Sequence, residues 1–276
     1  MNRLIDSLVP HLPRSVRRSV RRRIINPIVR HFAGLQPVSA TLPEDVFICG
    51  YPRSGHTWMQ YLISAVVFGV NAEFASDSLV NDLVTDTYLR DYYRRYGPVH
   101  YFKTHELPRP EFRRIVYLLR DGRDVLVSYH HYESAIHKRP MDFLKMLENN
   151  EFFPCPWEQH VQGYLANPYK ATILTIRYED LHADPAAQMR RFRDFLKLPL
   201  EDAWIDAMTA TTVFDKMQKR ETRLGWENPR WTSADQFVRR GKIGSYKDEM
   251  PADVLAAFLR RAGPTLSQCG YDDVKS

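Results

Sequence analysis

The segment Val46 to Trp58, reading VFICGYPRSGHTW, leaves the chain little choice of architecture around it. Val46-Phe47-Ile48-Cys49 is an apolar, β-favouring run and predicts a short buried strand; Gly50 ends it and a Pro-Arg-Ser-Gly turn follows. A helix is expected next, because Tyr61, Leu62, Ala65, Val66 and Gly69 recur at helical spacing after Thr57-Trp58-Met59. Strand, glycine-bracketed loop and helix start, in that order, make an anion cradle, since backbone N–H groups and the positive helix end converge on one point. A phosphate or a sulfate is the expected ligand.

Gly50, Gly55 and Thr57 fall in register with the P-loop pattern of nucleoside triphosphatases, G-x-x-x-x-G-K-[ST]. The lysine is missing: His56 stands in its place, and a cation enters three positions earlier as Arg53. Taken alone, the stretch has a second reading as an ordinary glycine turn between a strand and a helix.

A chain of 276 residues fits one large α/β domain or at most two small ones. Its longest mostly apolar stretch, the 12 residues from Met59 to Val70, carries Gln60 and Ser64. It falls short of the ~20 residues a membrane span needs, so none is predicted. Cys49, Cys155 and Cys269 are odd in number and too far apart for metal spacing; they suit small buried positions in a reducing, cytoplasmic compartment without disulfides. Charge is uneven. Residues 1–31 hold eight arginines against Asp6 alone, a net of +7, while the remainder nets −1. Within that arm Leu12, Val16, Val20 and Ile24 recur every fourth residue, so a basic amphipathic helix is expected before Pro27. The arm, residues 1–35, reads either as a solvated tail or as an anchor for an anionic membrane surface; with only Phe32 to stack on bases, no nucleic acid is expected.

Gln36 to Asp45 reads as a linker into the first strand, and Asp77 to Tyr96 as a helix with Leu79, Leu83, Val84 and Tyr88 on one face. Further strands are expected at Val99–Thr104, Ile115–Leu119 and Ala171–Ile176, and helices at Asp124–Tyr132, Pro185–Leu198 and Val254–Arg261. This alternation implies an α/β fold: a parallel sheet flanked by helices, with ligands at the carboxyl ends of the strands. Two of those ends carry candidate chemistry. Lys103 and His105 lie two apart and so share one side of an extended chain. Arg120 leaves the next strand at a place for a second anion, with Ser128 two turns into the following helix; its other reading is an ion pair with Asp121 or Asp124.

Tyr51-Pro52-Arg53-Ser54-Gly55-His56-Thr57-Trp58 resembles the phosphosulfate loop Y-P-K-S-G-T-T-W of the cytosolic-type sulfotransferases. Lys103-Thr104-His105 is similar to their K-T-H, Arg120 with Ser128 to their 3′-phosphate pair, and Tyr178-Glu179-Asp180 to their Y-E-D. Thr212 and Phe214 before Met217 resemble T-S-F, and Arg239-Arg240-Gly241 with Gly244, Tyr246 and Lys247 resembles R-K-G-x-x-G-x-W-K. The landmarks run in the family's order from about Asp45 to Tyr271, and the domain is placed at residues 36–276 as a single P-loop nucleoside-triphosphatase-like unit.

The resemblance implies a metal-free, in-line sulfuryl transfer from 3′-phosphoadenosine 5′-phosphosulfate to a hydroxyl or amine. His105 would be the base, with Lys103 and Arg53 stabilising developing charge. It also implies that the 5′ end sits on Arg53, Ser54, Gly55, His56 and Thr57, and the 3′-phosphate on Arg120, Ser128, Arg239, Arg240 and Gly241. The adenine would lie among Trp58, Tyr178, Thr212 and Phe214. Arg53 and His56 depart from the family's lysine and threonine, and Tyr246 from its tryptophan. Two alternatives are a P-loop kinase or triphosphatase, disfavoured by the missing lysine, and a non-catalytic nucleotide-binding membrane adaptor, disfavoured by the intact Lys103 and His105. Residues 71–98, 133–160 and 218–238, with the aromatics Tyr92, Tyr93, Phe152, Phe153, Trp157, Trp226 and Trp231, are expected to line the acceptor pocket; the acceptor stays open between small molecules, lipids and glycans, as does the oligomeric state.

Overall fold

A computed structural model describes residues 33–225, 231 and 241–272, without the side chain of Phe214. The basic arm, Trp226, Arg239 and Arg240 lie outside the described residues. The strands are β1 (Leu35–Pro37), β2 (Val46–Gly50), β3 (Val84–Asp86), β4 (Tyr92–Arg94), β5 (Tyr101–Thr104), β6 (Arg114–Leu119) and β7 (Thr172–Arg177). The helices up to mid-chain are α1 (His56–Phe68), α2 (Asp77–Leu83), α3 (Gly122–His137), α4 (Phe143–Glu148) and α5 (Trp157–Ala166). After β7 come α6 (Tyr178–Ala183), α7 (Pro185–Leu196), α8 (Asp202–Thr209), α9 (Phe214–Leu224), α10 (Tyr246–Glu249) and α11 (Ala252–Gln268). Among the described residues, no helix is long and apolar enough to cross a membrane.

Five strands make one sheet in the order β3-β5-β2-β6-β7, with every pairing parallel. Its central strand β2 is buried along its whole length, as its unbroken apolar run requires. Side chains alternate across it. Val46 and Ile48 pack with Met59, Leu62 and Ile63 of α1 and with Phe192 and Ile205, while Phe47 and Cys49 pack on the other face with Trp157, Val161 and Phe258. The two faces thus each carry a core under a helical layer, and both layers leave the carboxyl ends of the strands open.

Asp77–Tyr96, expected as one helix, is instead α2 followed by β3 and β4. The β-branched pair Val84-Thr85 leaves the helix and extends along β5, with Val84, Thr85 and Asp86 opposite Tyr101, Phe102 and Lys103. Gln36 and Pro37, expected in a linker, pair with Tyr93 and Tyr92 in a two-stranded antiparallel sheet. Behind it the buried carboxylate of Asp45 takes both Arg95 terminal nitrogens, at 2.7 and 2.8 Å, and the His100 N–H at 2.9 Å. Helix α3 begins two residues earlier than expected because Asp121 caps it, accepting from the Arg123 N–H at 2.9 Å. Its first residue must be glycine: a Cβ on Gly122 would lie 2.6 Å from the Trp157 ring.

Two histidines are built into this frame. His160 accepts the Tyr117 hydroxyl at Nδ1 (3.1 Å) and donates from Nε2 to the His105 carbonyl (3.2 Å), tying α5 to the end of β5. His100 shares a 2.8 Å hydrogen bond with the Thr85 hydroxyl, joining β3 to the start of β5. Burial brings both pKa values down to about 4 from an ordinary 6.5. Between those limits each ring binds fewer protons folded than unfolded, so its stabilisation is complete above pH 6.5 and is lost as pH falls. Each withheld proton costs up to ~1.4 kcal/mol per pH unit. The midpoint of thermal unfolding should therefore drop steeply between pH 6.5 and 4, and less so in His100→Gln; a flat profile down to pH 4.5 would show these rings to be accessible to protons.

Candidate active site

The cradle forms as the loop pattern requires. Ser54 N–H returns to the Tyr51 carbonyl at 3.2 Å, Arg53 takes a left-handed φ of 72° and Gly55 one of 96°, and α1 starts with its N–H groups turned to the loop. Glycine is needed at 55 for a second reason: a Cβ there would meet the Tyr178 ring at 2.8 Å. Tyr178 carries the Arg120 guanidinium over its ring, 4.1 Å from the centroid, and donates its hydroxyl to the Gly241 carbonyl at 3.4 Å. The loop, Tyr178 and Arg120 therefore form one stack.

Arg120 makes no ion pair among the described residues. Asp121 is taken by Arg123 at 2.8 Å, and Asp124 accepts the N–H groups of Gly244 (2.6 Å) and Tyr246 (3.0 Å). Arg120 donates instead to the carbonyls of Arg53 (3.0 Å) and Lys242 (3.4 Å), and its Nε is buried without a partner. Arg53 reaches across to the Ser128 hydroxyl at 3.1 Å and lies over the Tyr132 ring. Ser54 Oγ is likewise buried and unpartnered. Buried donors left open beside two guanidinium groups and a helix N-terminus are what a polyanion with two charged ends would satisfy. On the same wall Trp58 donates its indole N–H to the Thr212 carbonyl at 2.9 Å and meets Tyr178 edge-on at 6.2 Å.

The residues predicted at the strand ends meet the loop from the other side. His105 donates from Nδ1 to the Gly50 carbonyl at 3.0 Å. A carbonyl only accepts, so the proton sits on Nδ1 and Nε2 keeps its lone pair. Burial, and next the Lys103 ammonium, hold the His105 pKa well below the ordinary imidazole value, so the ring is neutral at physiological pH. His56 packs edge-on against it, ring centroids 4.4 Å apart. Its own ring is buried, and burial followed by the charge of its neighbours holds its pKa well below the ordinary imidazole value.

Lys103 is bound to Asp86 at 2.6 Å. Burial opposes the Asp86 charge, but that ammonium and the Tyr88 N–H hold its pKa below the usual carboxylate value. Asp86 is absent from the sequence-based site because it was assigned to a helix; the signal for it is a β-branched pair followed by an acid, a strand ending at the same level as Lys103.

Of the predicted residues, Arg53, Gly55, His56, Thr57, Trp58, Lys103, His105, Arg120, Ser128, Tyr178, Thr212 and Gly241 all line one cavity of about 580 Å³. Ser54 lies just behind it, Arg239 and Arg240 are outside the described residues, and of Phe214 only the backbone, at the start of α9, is described. Tyr88, Glu133 and Phe153, from the segments 71–98 and 133–160 expected to line the acceptor pocket, also line the cavity, together with Tyr61 and Tyr129, which the sequence reading did not place there. They come from four separate segments, which no local pattern connects.

The family model described as sulfotransferase domain matches residues 43–270. Cytosolic sulfotransferase 1 of Danio rerio is 28% identical over 232 residues, covering 75% of this chain and 77% of that protein. Flavonol 3-sulfotransferase of Flaveria bidentis is 26% identical over 263 residues, covering 81% and 83%. Among solved structures, retinol dehydratase in complex with androsterone and the inactive cofactor PAP has the same fold, with a TM-score of 0.63, 20% identity and coverage of 86% and 83%.

The carbonyl that anchors His105 sits where β2 and β6 approach closely. A Cβ on Gly50 would lie 2.5 Å from the Leu118 carbonyl oxygen and 2.9 Å from the His56 ring. Gly50→Ala should therefore lower the unfolding free energy by about 1–3 kcal/mol through overpacking, read by chemical denaturation. An unchanged midpoint would mean that the two strands are not packed this closely.

Proposed function

The chain belongs to the sulfotransferase domain family, and on that premise we propose that it moves a sulfuryl group from 3′-phosphoadenosine 5′-phosphosulfate to an acceptor hydroxyl or amine. The observation that carries the mechanism is the 3.0 Å bond from His105 Nδ1 to the Gly50 carbonyl, which leaves Nε2 as the basic atom of a ring on the cavity wall. When bound, the donor supplies the sulfuryl group, whose link to the 5′-phosphate breaks as the acceptor attacks.

His105 Nε2 takes the acceptor's proton in that step, and the neutral resting state of the ring suits it to do so. The start of α1, with Ser54, Gly55, His56 and Thr57, holds the 5′ end through backbone N–H groups and the Ser54 and Thr57 hydroxyls. Arg53 and Lys103 stabilise negative charge gathering on the transferred group and the leaving phosphate; Asp86 fixes the direction of Lys103. Arg53 is a planar fork where the family has a flexible lysine, so its cation arrives with Ser128 already bonded. Arg120, Ser128 and Gly241, with Arg239 and Arg240 from the sequence, hold the 3′-phosphate. Trp58, Tyr178, Thr212 and Phe214 enclose the adenine, where ring stacking is worth ~1–3 kcal/mol per base.

Two substitutions separate the roles. His105→Ala should cut turnover by about 10²–10⁴-fold while changing the affinity for 3′-phosphoadenosine 5′-phosphate only a few-fold. Arg120→Ala should weaken that affinity by about ten- to a hundredfold, as loss of a charged hydrogen-bonding partner does. Calorimetric titration with the bisphosphate and with ATP decides the donor: equal affinity for the two would restore the kinase reading, and a His105→Ala enzyme of near-normal rate would assign the base elsewhere.

A further inference from the structure

His56 stands where the family's loop carries a threonine, and although it opens α1 beside the cavity it is only 4% exposed. Its ring lies against the end of β2: a Cβ on Gly50 would come within 2.9 Å of it, and the Cys49 carbonyl is within its reach. His105 uses the same strand end, donating from Nδ1 to the Gly50 carbonyl at 3.0 Å. Two imidazoles from different elements therefore meet the last two residues of β2.

They also meet each other edge-on, with centroids 4.4 Å apart and planes at 76°. A third ring, Tyr88, stacks on His105 at 5.9 Å and 24°. His105 is thus held by two rings and one carbonyl. A threonine at 56 has half the side-chain atoms of histidine and would leave part of that packing empty. The vacated space borders polar atoms of Gly50 and His105, the kind of void that admits a water rather than staying dry. Such a water competes for the Nδ1–H and solvates an imidazolium, so both the direction and the basicity of His105 depend on what occupies position 56.

We propose that His56 is a positioning residue for His105: its ring fills the space between the end of β2 and the base, keeps the base in the orientation set by the Gly50 carbonyl, and excludes water from it. The assignment rests on the sulfotransferase reading of His105 given above. The charged groups facing His105 are Lys103 and Asp86, themselves paired at 2.6 Å; the rings beside it, Tyr88, His56 and His160, are neutral. Burial, and next Lys103, lower the His105 pKa, while the Gly50 carbonyl and Asp86 raise it. His56 adds no charge of its own, because burial and then the charges of His105 and Lys103 hold its pKa well below the ordinary value. Admitting water relieves the largest of these effects, so the His105 pKa rises toward the ordinary 6.5 and the base is lost to protonation in mildly acidic solution. With the histidine in place the base stays available there.

The direct test is the imidazole spectrum of enzyme labelled with ¹⁵N at histidine and bound to 3′-phosphoadenosine 5′-phosphate, with the His105 signals assigned by their loss in His105→Ala. In the native enzyme they should show a proton on Nδ1 and stay unchanged from about pH 7.5 down to about pH 5. His56→Thr, which keeps the backbone and installs the family's usual residue, should make them titrate about one pH unit higher or more, toward 6.5. Turnover of 2-naphthol at saturating donor should follow. Relative to the native rate at each pH, His56→Thr should lose about tenfold between about pH 7.5 and 5.5, as a base of ordinary pKa does. Taking that ratio removes any uniform loss caused by the loop itself. His56→Gln, which restores most of the volume and cannot titrate, should return most of the native profile. A His105 signal that titrates near 6.5 in the native enzyme, one that His56→Thr leaves unmoved, or a His56→Gln profile matching that of His56→Thr would each overturn the proposal. A His105→Ala enzyme of near-normal rate would instead remove the reading of His105 as the base, on which it stands.

Discussion

Every group at the floor of the cavity owes its position to β2 being hydrogen-bonded on both edges. Pairing Cys49 with Thr104 on one side and Gly50 with Leu118 on the other sets three strand ends at a common level. From that level the loop, the Lys103 and His105 pair and Arg120 project together. The Gly50 carbonyl has no β5 residue left to bond and takes the His105 ring instead. A shift of one residue in either pairing would turn each side chain to the opposite face of the sheet and separate His105 from the loop.

The electrostatic arrangement follows from how the acids are used. Asp121 and Asp124 lie beside Arg120 in sequence, yet one caps and braces the start of α3 while the other gathers backbone N–H groups at 244 and 246. Both are removed from competition, and the guanidinium faces the cavity uncompensated by any carboxylate among the described residues. Lys103 is treated the other way and is neutralised by Asp86. A carboxylate so placed fixes a flexible four-carbon side chain in one direction at a cost in net field, a trade that suits a group needed for position as much as for charge.

The anion loop was legible because its chemistry is local: glycines at two fixed offsets, a strand before and a helix after. The five parallel strands were partly legible, since β2, β5, β6 and β7 are each longer than three residues and apolar. β1, β3 and β4 are three residues each and exist only through their partners, so nothing within Val84–Asp86 distinguishes a strand from the last turn of a helix. The same limit kept Asp86 from being read as the partner of Lys103. Tyr88 and Glu133 fall in segments expected to line the acceptor pocket, but only the fold shows that they face it, with the segment around Phe153 folding back over α3. The core histidines escaped notice for a further reason: His100 and His160 are satisfied by partners 15 and 43 residues away, Thr85 and Tyr117.

The stack of Gly55, Tyr178 and Arg120 ties three distant positions into a single unit of variation. The tyrosine edge fills the volume that any side chain at 55 would need, and its face is the platform on which the guanidinium rests. A larger residue at 55 must tolerate the left-handed backbone and also needs a smaller one at 178, and a smaller ring there removes the surface that supports Arg120. Selection acting on any one of them is therefore felt by all three. A library that randomises these sites one at a time will find each nearly invariant, and functional combinations will emerge only when the trio is varied jointly.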